Sequence, residues 1–137
     1  MASAEAFEII HGLLVPSWTA TNIYFENDQQ TLPDSVAYFV FVEVYGQLFE
    51  QASIGGGSPT ENLWREEGAI LAHVMCPRGD GSLKGRQYAR QICDLFRGQD
   101  ISGVRFREMS IGASEPGDED GSYWRLTVTI DWQRDEA

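Results

Sequence analysis

Apolar residues along this chain recur with two periods, and the points where the period switches mark its elements. Over residues 3–14, Phe7, Ile10 and Leu14 share one face of a helix, with Ser3 placed to cap it and Pro16 to stop it. Ile23, Tyr24 and Phe25 fit a short strand, and the stretch from Asn27 to Asp34 is rich in turn formers. From Val36 to Phe49 the period becomes two. Tyr38, Val40, Val42 and Val44 alternate with Phe39, Phe41, Glu43 and Tyr45, so both faces are apolar at the start. That is the pattern of a central strand covered on both sides, at least in an assembly. Gly46 interrupts the run and fits a bend or bulge, with the strand continuing through Leu48 and Phe49.

Residues 53–63, SIGGGSPTENL, hold three consecutive glycines and Pro59, the composition of a flexible hairpin tip. A second strong strand over 64–76 follows and ends at Pro77. PRGDGS then reads as a turn, with Ser82 as N-cap of the main helix over 82–97. Ala89, Ile92, Cys93 and Phe96 share its inner face, Arg86, Arg90 and Arg97 face water, and Gly98 lies past its end. Strands at 104–111 and 122–132 close the chain. The last one alternates cleanly, with Trp124, Leu126, Val128, Ile130 and Trp132 inward and Arg125, Thr127, Thr129 and Asp131 outward. The order α, β, β-hairpin, α, β, β predicts an α+β fold. It is a single domain over 1–137, a mostly antiparallel β-sheet with helices packed on one face and no internal repeat.

Length and charge narrow what such a domain does. At 137 residues the chain suffices for one self-sufficient core. Ten Lys and Arg against twenty-one Asp and Glu give a net charge of −11, the wrong sign for neutralising phosphates or docking on anionic membranes. Two cysteines without CxxC spacing indicate neither a disulfide framework nor a zinc finger, and fit free thiols in a reducing cytosol. The N-terminal stretch lacks a basic segment, so it does not read as a signal peptide. The longest apolar run, 36–42, is far short of a membrane span, and the expectation is a soluble intracellular protein.

The residues that invite chemistry mostly read as structure. Glu115, Asp118, Glu119 and Asp120 lack the ligand spacing of a calcium loop and fit a solvated hairpin. Glu66 and Glu67 are neighbours on a strand, point to opposite faces and cannot serve one site as an acid/base pair. His73 and Cys76 likewise fall on opposite faces, and Cys93 sits on the apolar face of its helix. GDGSLKG lacks the spacing of a phosphate loop. No catalytic residue, metal site or cofactor is expected.

Several segments in order carry a resemblance. IYFEN followed by a Pro, the strand YFVFVEVYG, then WREEGAILAHVMCPRGDGS opening the helix GRQYARQICDLFRG, and the closing SYWRLTVTIDW resemble the phage tail terminator-like family. The likeness runs from about Trp18 to Asp131. It is densest where the strand holding Arg65-x-x-Gly68 runs into Pro77-x-Gly79-x-Gly81. Its motifs are not a catalytic signature; their order and spacing carry it. The resemblance implies a structural virion protein of a long-tailed phage or gene transfer agent. Such a protein caps the tail tube as a hexameric ring, stops tube polymerisation and forms the head–tail joining face. Its implied partners are copies of itself, the major tail-tube protein and head–tail connector or neck proteins, with genomic DNA passing through the lumen without specific binding. It would reside in the host cytoplasm during assembly and at the tail–neck junction of the virion. Phe39, Phe41, Ile54, Gly55, Gly56, Gly57, Pro59 and Arg65 are the expected subunit-interface or tube-docking residues. Glu50, Glu61, Asp118, Glu119 and Asp120 are the expected lumen or docking charges. Another neck or tail-completion protein with this subunit, and a small ligand-binding α+β enzyme, stay open as alternatives.

Overall fold

The computed structural model describes residues 3–27, 37–51, 63–115 and 123–136. In chain order the elements are helix α1 (Ala4–Ser17), strands β1 (Asn22–Phe25), β2 (Phe39–Gln51) and β3 (Trp64–Pro77), helix α2 (Leu83–Phe96), then β4 (Asp100–Ile101), β5 (Val104–Glu115) and β6 (Tyr123–Glu136). The strands form one sheet in the order β1-β2-β3-β6-β5-β4, antiparallel throughout except for the β1–β2 pair. This is the expected α+β fold. No described helix is long and apolar enough to cross a membrane.

The alternation read from the sequence decides which face the helices cover. Val40, Val42 and Val44 lie in register with Val74, Ala72 and Ile70, and these with Leu126, Val128 and Ile130. Because side chains of paired residues share a face, the nine form one apolar surface, and all are buried. Ala6, Ile10 and Leu14 of α1 and Ala89, Ile92, Cys93 and Phe96 of α2 join them in one core. Each fully buried Ile or Leu there contributes about 1.5–3 kcal/mol. Gly85 lets α2 approach closely, since a Cβ at that position would lie 2.6 Å from Cys76 Sγ.

Caps and turns account for most of the differences from expectation. Ser3 caps α1 as predicted, its Oγ accepting from the Ala6 N–H at 3.2 Å. The helix runs on to Ser17, with Pro16 inside its last turn, so the proline does not stop it where expected. Standing in the last turn, Pro16 costs the helix a single i→i−4 bond, and the following Trp18 N–H still reaches the Leu14 carbonyl at 3.0 Å. Ser82 precedes α2 but makes no side-chain cap, because its backbone is already helical (φ −109°, ψ −5°). The expected bulge in β2 is present, with a register shift between Gly46 and Leu48. The β4–β5 pair was not anticipated. Its two connecting residues, Ser102 (φ 51°) and Gly103 (φ 87°), both have the positive φ that a tight two-residue hairpin requires.

Candidate assembly surface

With both helices on one face, the other face of the sheet carries no helix among the described residues. Its rows follow from the register. Phe39, Met75 and Arg125 form one, Phe41, His73 and Thr127 the next, then Glu43, Leu71 and Thr129, then Tyr45, Ala69 and Asp131. Tyr24 joins from β1, its ring packed edge-on against Phe39 at 5.7 Å. Phe41, Tyr45, Leu71, Met75 and Tyr24 are only half-buried, an unusual content for a face open to water.

The predicted interface residues separate on this surface. Phe39 is 7% exposed, held between Tyr24 and Tyr123, which meets it at 5.1 Å. Phe41 is more open and stacks on His73, centroids 6.2 Å apart. Arg65 and Glu50 are paired in register at the far end of β2 and β3. Ile54, Gly55, Gly56, Gly57, Pro59, Glu61, Asp118, Glu119 and Asp120 lie outside the described residues.

Two polar clusters on this face were not foreseen. In the middle, His73 bridges strands: Nε2 lies 2.9 Å from Glu43 Oε1 and Nδ1 lies 2.9 Å from Thr127 Oγ1. The hydroxyl can donate or accept, so the ring is satisfied in either protonation state. β3 is hydrogen-bonded on both edges, to β2 and β6, which fixes this cluster in the middle of the sheet. These contacts satisfy a buried imidazole. At the far end, Arg65 grips Asp135 through Nε at 2.8 Å and Nη2 at 3.2 Å, and Arg105 Nη2 reaches the same carboxylate at 3.2 Å. Arg107 Nη1 donates to Gln133 Oε1 at 3.1 Å. Beside it, a cleft of about 190 Å³ is lined by Gln47, Glu67, Arg107, Glu108, Asp131 and Gln133, among others.

The hydrogen bonds from Arg65 hold the Asp135 carboxyl below its ordinary pKa. A carboxylate with a depressed native pKa adds stability above its unfolded value near 4, which disappears as pH falls through the native one. Asp135→Asn should therefore cost about 1 kcal/mol at pH 7 and progressively less as pH falls through the native pKa. Urea midpoints measured at neutral pH and through the acid range check this; a loss that stays the same throughout would show that the ion pair is not its source.

On the helix side, the Tyr38 hydroxyl donates to Asp80, and that bond pushes its pKa up to about 12. Lys84 Nζ sits 5.0 Å from the Tyr38 ring centroid and 5.8 Å from that of Tyr88, fastening the turn before α2 to the sheet. Burial pushes both the Cys76 and Cys93 thiols up, so they stay protonated and inert. Among the described residues no group of His, Cys, Asp and Glu is arranged to hold a metal ion.

Comparison with known proteins places the fold and leaves function to the surface. No family model matches the chain, and no curated relative matches it. It is similar to a solved structure of another protein, whose name states no function. The alignment has a TM-score of 0.59 at 19% identity and covers 95% of this chain and 91% of that one. Both chains thus share one architecture over nearly their whole lengths.

Proposed function

We propose that this chain is a structural assembly protein, one subunit of a hexameric ring that caps a phage or gene transfer agent tail tube and presents the face that joins the head. The observation that carries the reading is the helix-free sheet face, whose half-buried Tyr24, Phe41, Tyr45, Leu71 and Met75 suit contact with protein better than contact with water. The family resemblance supports it, because the resembling segments form α2 and the β2, β3 and β6 strands that build this face. Charge supports it too. A ring of subunits each bearing −11 repels phosphates, so DNA can pass its lumen without being held. The reading gives the chain no catalytic activity and no cofactor, and sites it in the host cytoplasm during assembly and at the tail–neck junction afterwards.

The test is tube growth. Added to tail-tube protein polymerising in vitro, this protein should arrest elongation, with mean tube length in electron micrographs falling as its dose rises. Tubes that keep their length at a molar excess of the protein would remove the capping role.

A further inference from the structure

Charge is distributed unevenly over this molecule. From Leu83 to Arg97 the chain carries Lys84, Arg86, Arg90 and Arg97 against the single Asp94, a balance of +3, while the rest of the chain balances at −14. All four cations are exposed; Lys84 lies over the Tyr38 and Tyr88 rings, while Arg86, Arg90 and Arg97 lie outside the core. Arg90 and Arg97 both pair with Asp94, at 3.0 and 3.7 Å, which neutralises one of the four charges. Leu83, at the start of the same helix, is 71% exposed. On the opposite side of the subunit the middle rows of the open sheet face carry Glu43, Glu67 and Asp131, with Glu108 beside them in the cleft. Arg107 shares that cleft and donates to Gln133, leaving the carboxylates in excess there; the other cations of that face stand towards its ends, Arg125 at one, Arg65 and Arg105 with Asp135 at the other.

The geometry points to a head-to-tail contact in which the cationic face of α2 on one copy docks on the middle of the open sheet face of the next. This rests on the ring reading and specifies its interface. Pairing the open face with itself would oppose Glu43, Glu67 and Asp131 to one another, and pairing α2 with α2 would oppose arginines. Opposite faces of different character instead form a heterologous contact, the kind that closes into a ring. The pairing also matches shape to chemistry. Guanidinium groups lying over Phe41 and Tyr45 make cation–π contacts while reaching Glu67 and Asp131, and Leu83 supplies an apolar contact for the half-buried Leu71 and Tyr45.

Charge reversal with mixing tests it. In light scattering after size exclusion, Arg86→Glu/Arg90→Glu and Glu67→Lys/Asp131→Lys should each associate at least tenfold more weakly than the parent chain. An equimolar mixture of the two should recover the parental particle. Arg86→Gln/Arg90→Gln, which only removes charge, should fall between, and raising salt should weaken the parent. Far-UV circular dichroism confirms that each variant is folded; the helix positions are exposed and do not join the core. Parental association by both reversed variants would overturn this contact and leave the ring reading standing. So would an unchanged particle that has lost retention of duplex DNA, since α2 would then be a nucleic-acid stripe. A parent chain that stays monomeric with and without tube protein would remove the ring itself.

Discussion

Gly68→Ala should destabilise the protein by at least about 3 kcal/mol, the largest single-methyl effect in the fold. Gly68 lies in β3 opposite Trp132 of β6 and Gly46 of β2. An added Cβ would stand 2.1 Å from the Tyr45 carbonyl oxygen and 2.6 and 2.8 Å from two indole carbons of Trp132. Neither neighbour can give way. The carbonyl belongs to a strand paired with β3, and Trp132 is 1% exposed at the centre of the core. The two glycines and the adjoining bulge together make room for that indole between paired strands. Thermal unfolding reads the effect as a fall on the order of 10 °C in Tm. A change within 2 °C of the parent would mean the sheet can shift there, contrary to the packing described.

The second large effect is expected at Glu66, which sits 2% exposed on the helix side of β3. Its carboxylate takes the Ser3 N–H on one oxygen and the Ser3 hydroxyl on the other, at 2.7 Å, while Arg134 Nη1 lies 3.8 Å away. A charged acceptor at a helix N-terminus is stabilised by the free N–H groups and the positive end of the dipole. Glu66 thus ties α1 to the sheet through its cap. Glu66→Ala removes these bonds and leaves the partly buried Arg134 guanidinium without that carboxylate, a cost of about 3 kcal/mol. Glu66→Gln keeps the shape and one acceptor and should cost about half as much. Urea midpoints with an unchanged m-value would show this ordering; equal losses for Ala and Gln would place the effect in charge alone.

Much of the fold was legible because burial here follows period. Alternation in residues 36–49 and 122–132 and the apolar face of 82–97 predicted which side chains meet, and Val40, Ile70, Val128 and Ile92 are fully buried as that pattern requires. Register was not legible. The connection between β2 and β3 is long and glycine-rich, so nothing local fixes that Glu43 pairs with Leu71 or that His73 lands between Glu43 and Thr127. The Arg65–Asp135 pair, 70 residues apart, was hidden for the same reason. The Ser102-Gly103 dipeptide was a turn signal that could have revealed β4, but a two-residue strand leaves no periodicity to read. The open sheet face was half visible. Phe39 and Phe41 stood out as apolar on the second face, yet only packing separates them: Phe39 is enclosed by Tyr24 and Tyr123, while Phe41 stays half-exposed beside His73.

Multi-angle light scattering of the full chain, alone and then mixed with tail-tube protein, tests directly whether this subunit works as part of a ring. The expected result is a particle of six copies of the 15.3 kDa chain, either free or as the increment gained by each tube end. A single 15.3 kDa species that ignores tube protein at every concentration would contradict it.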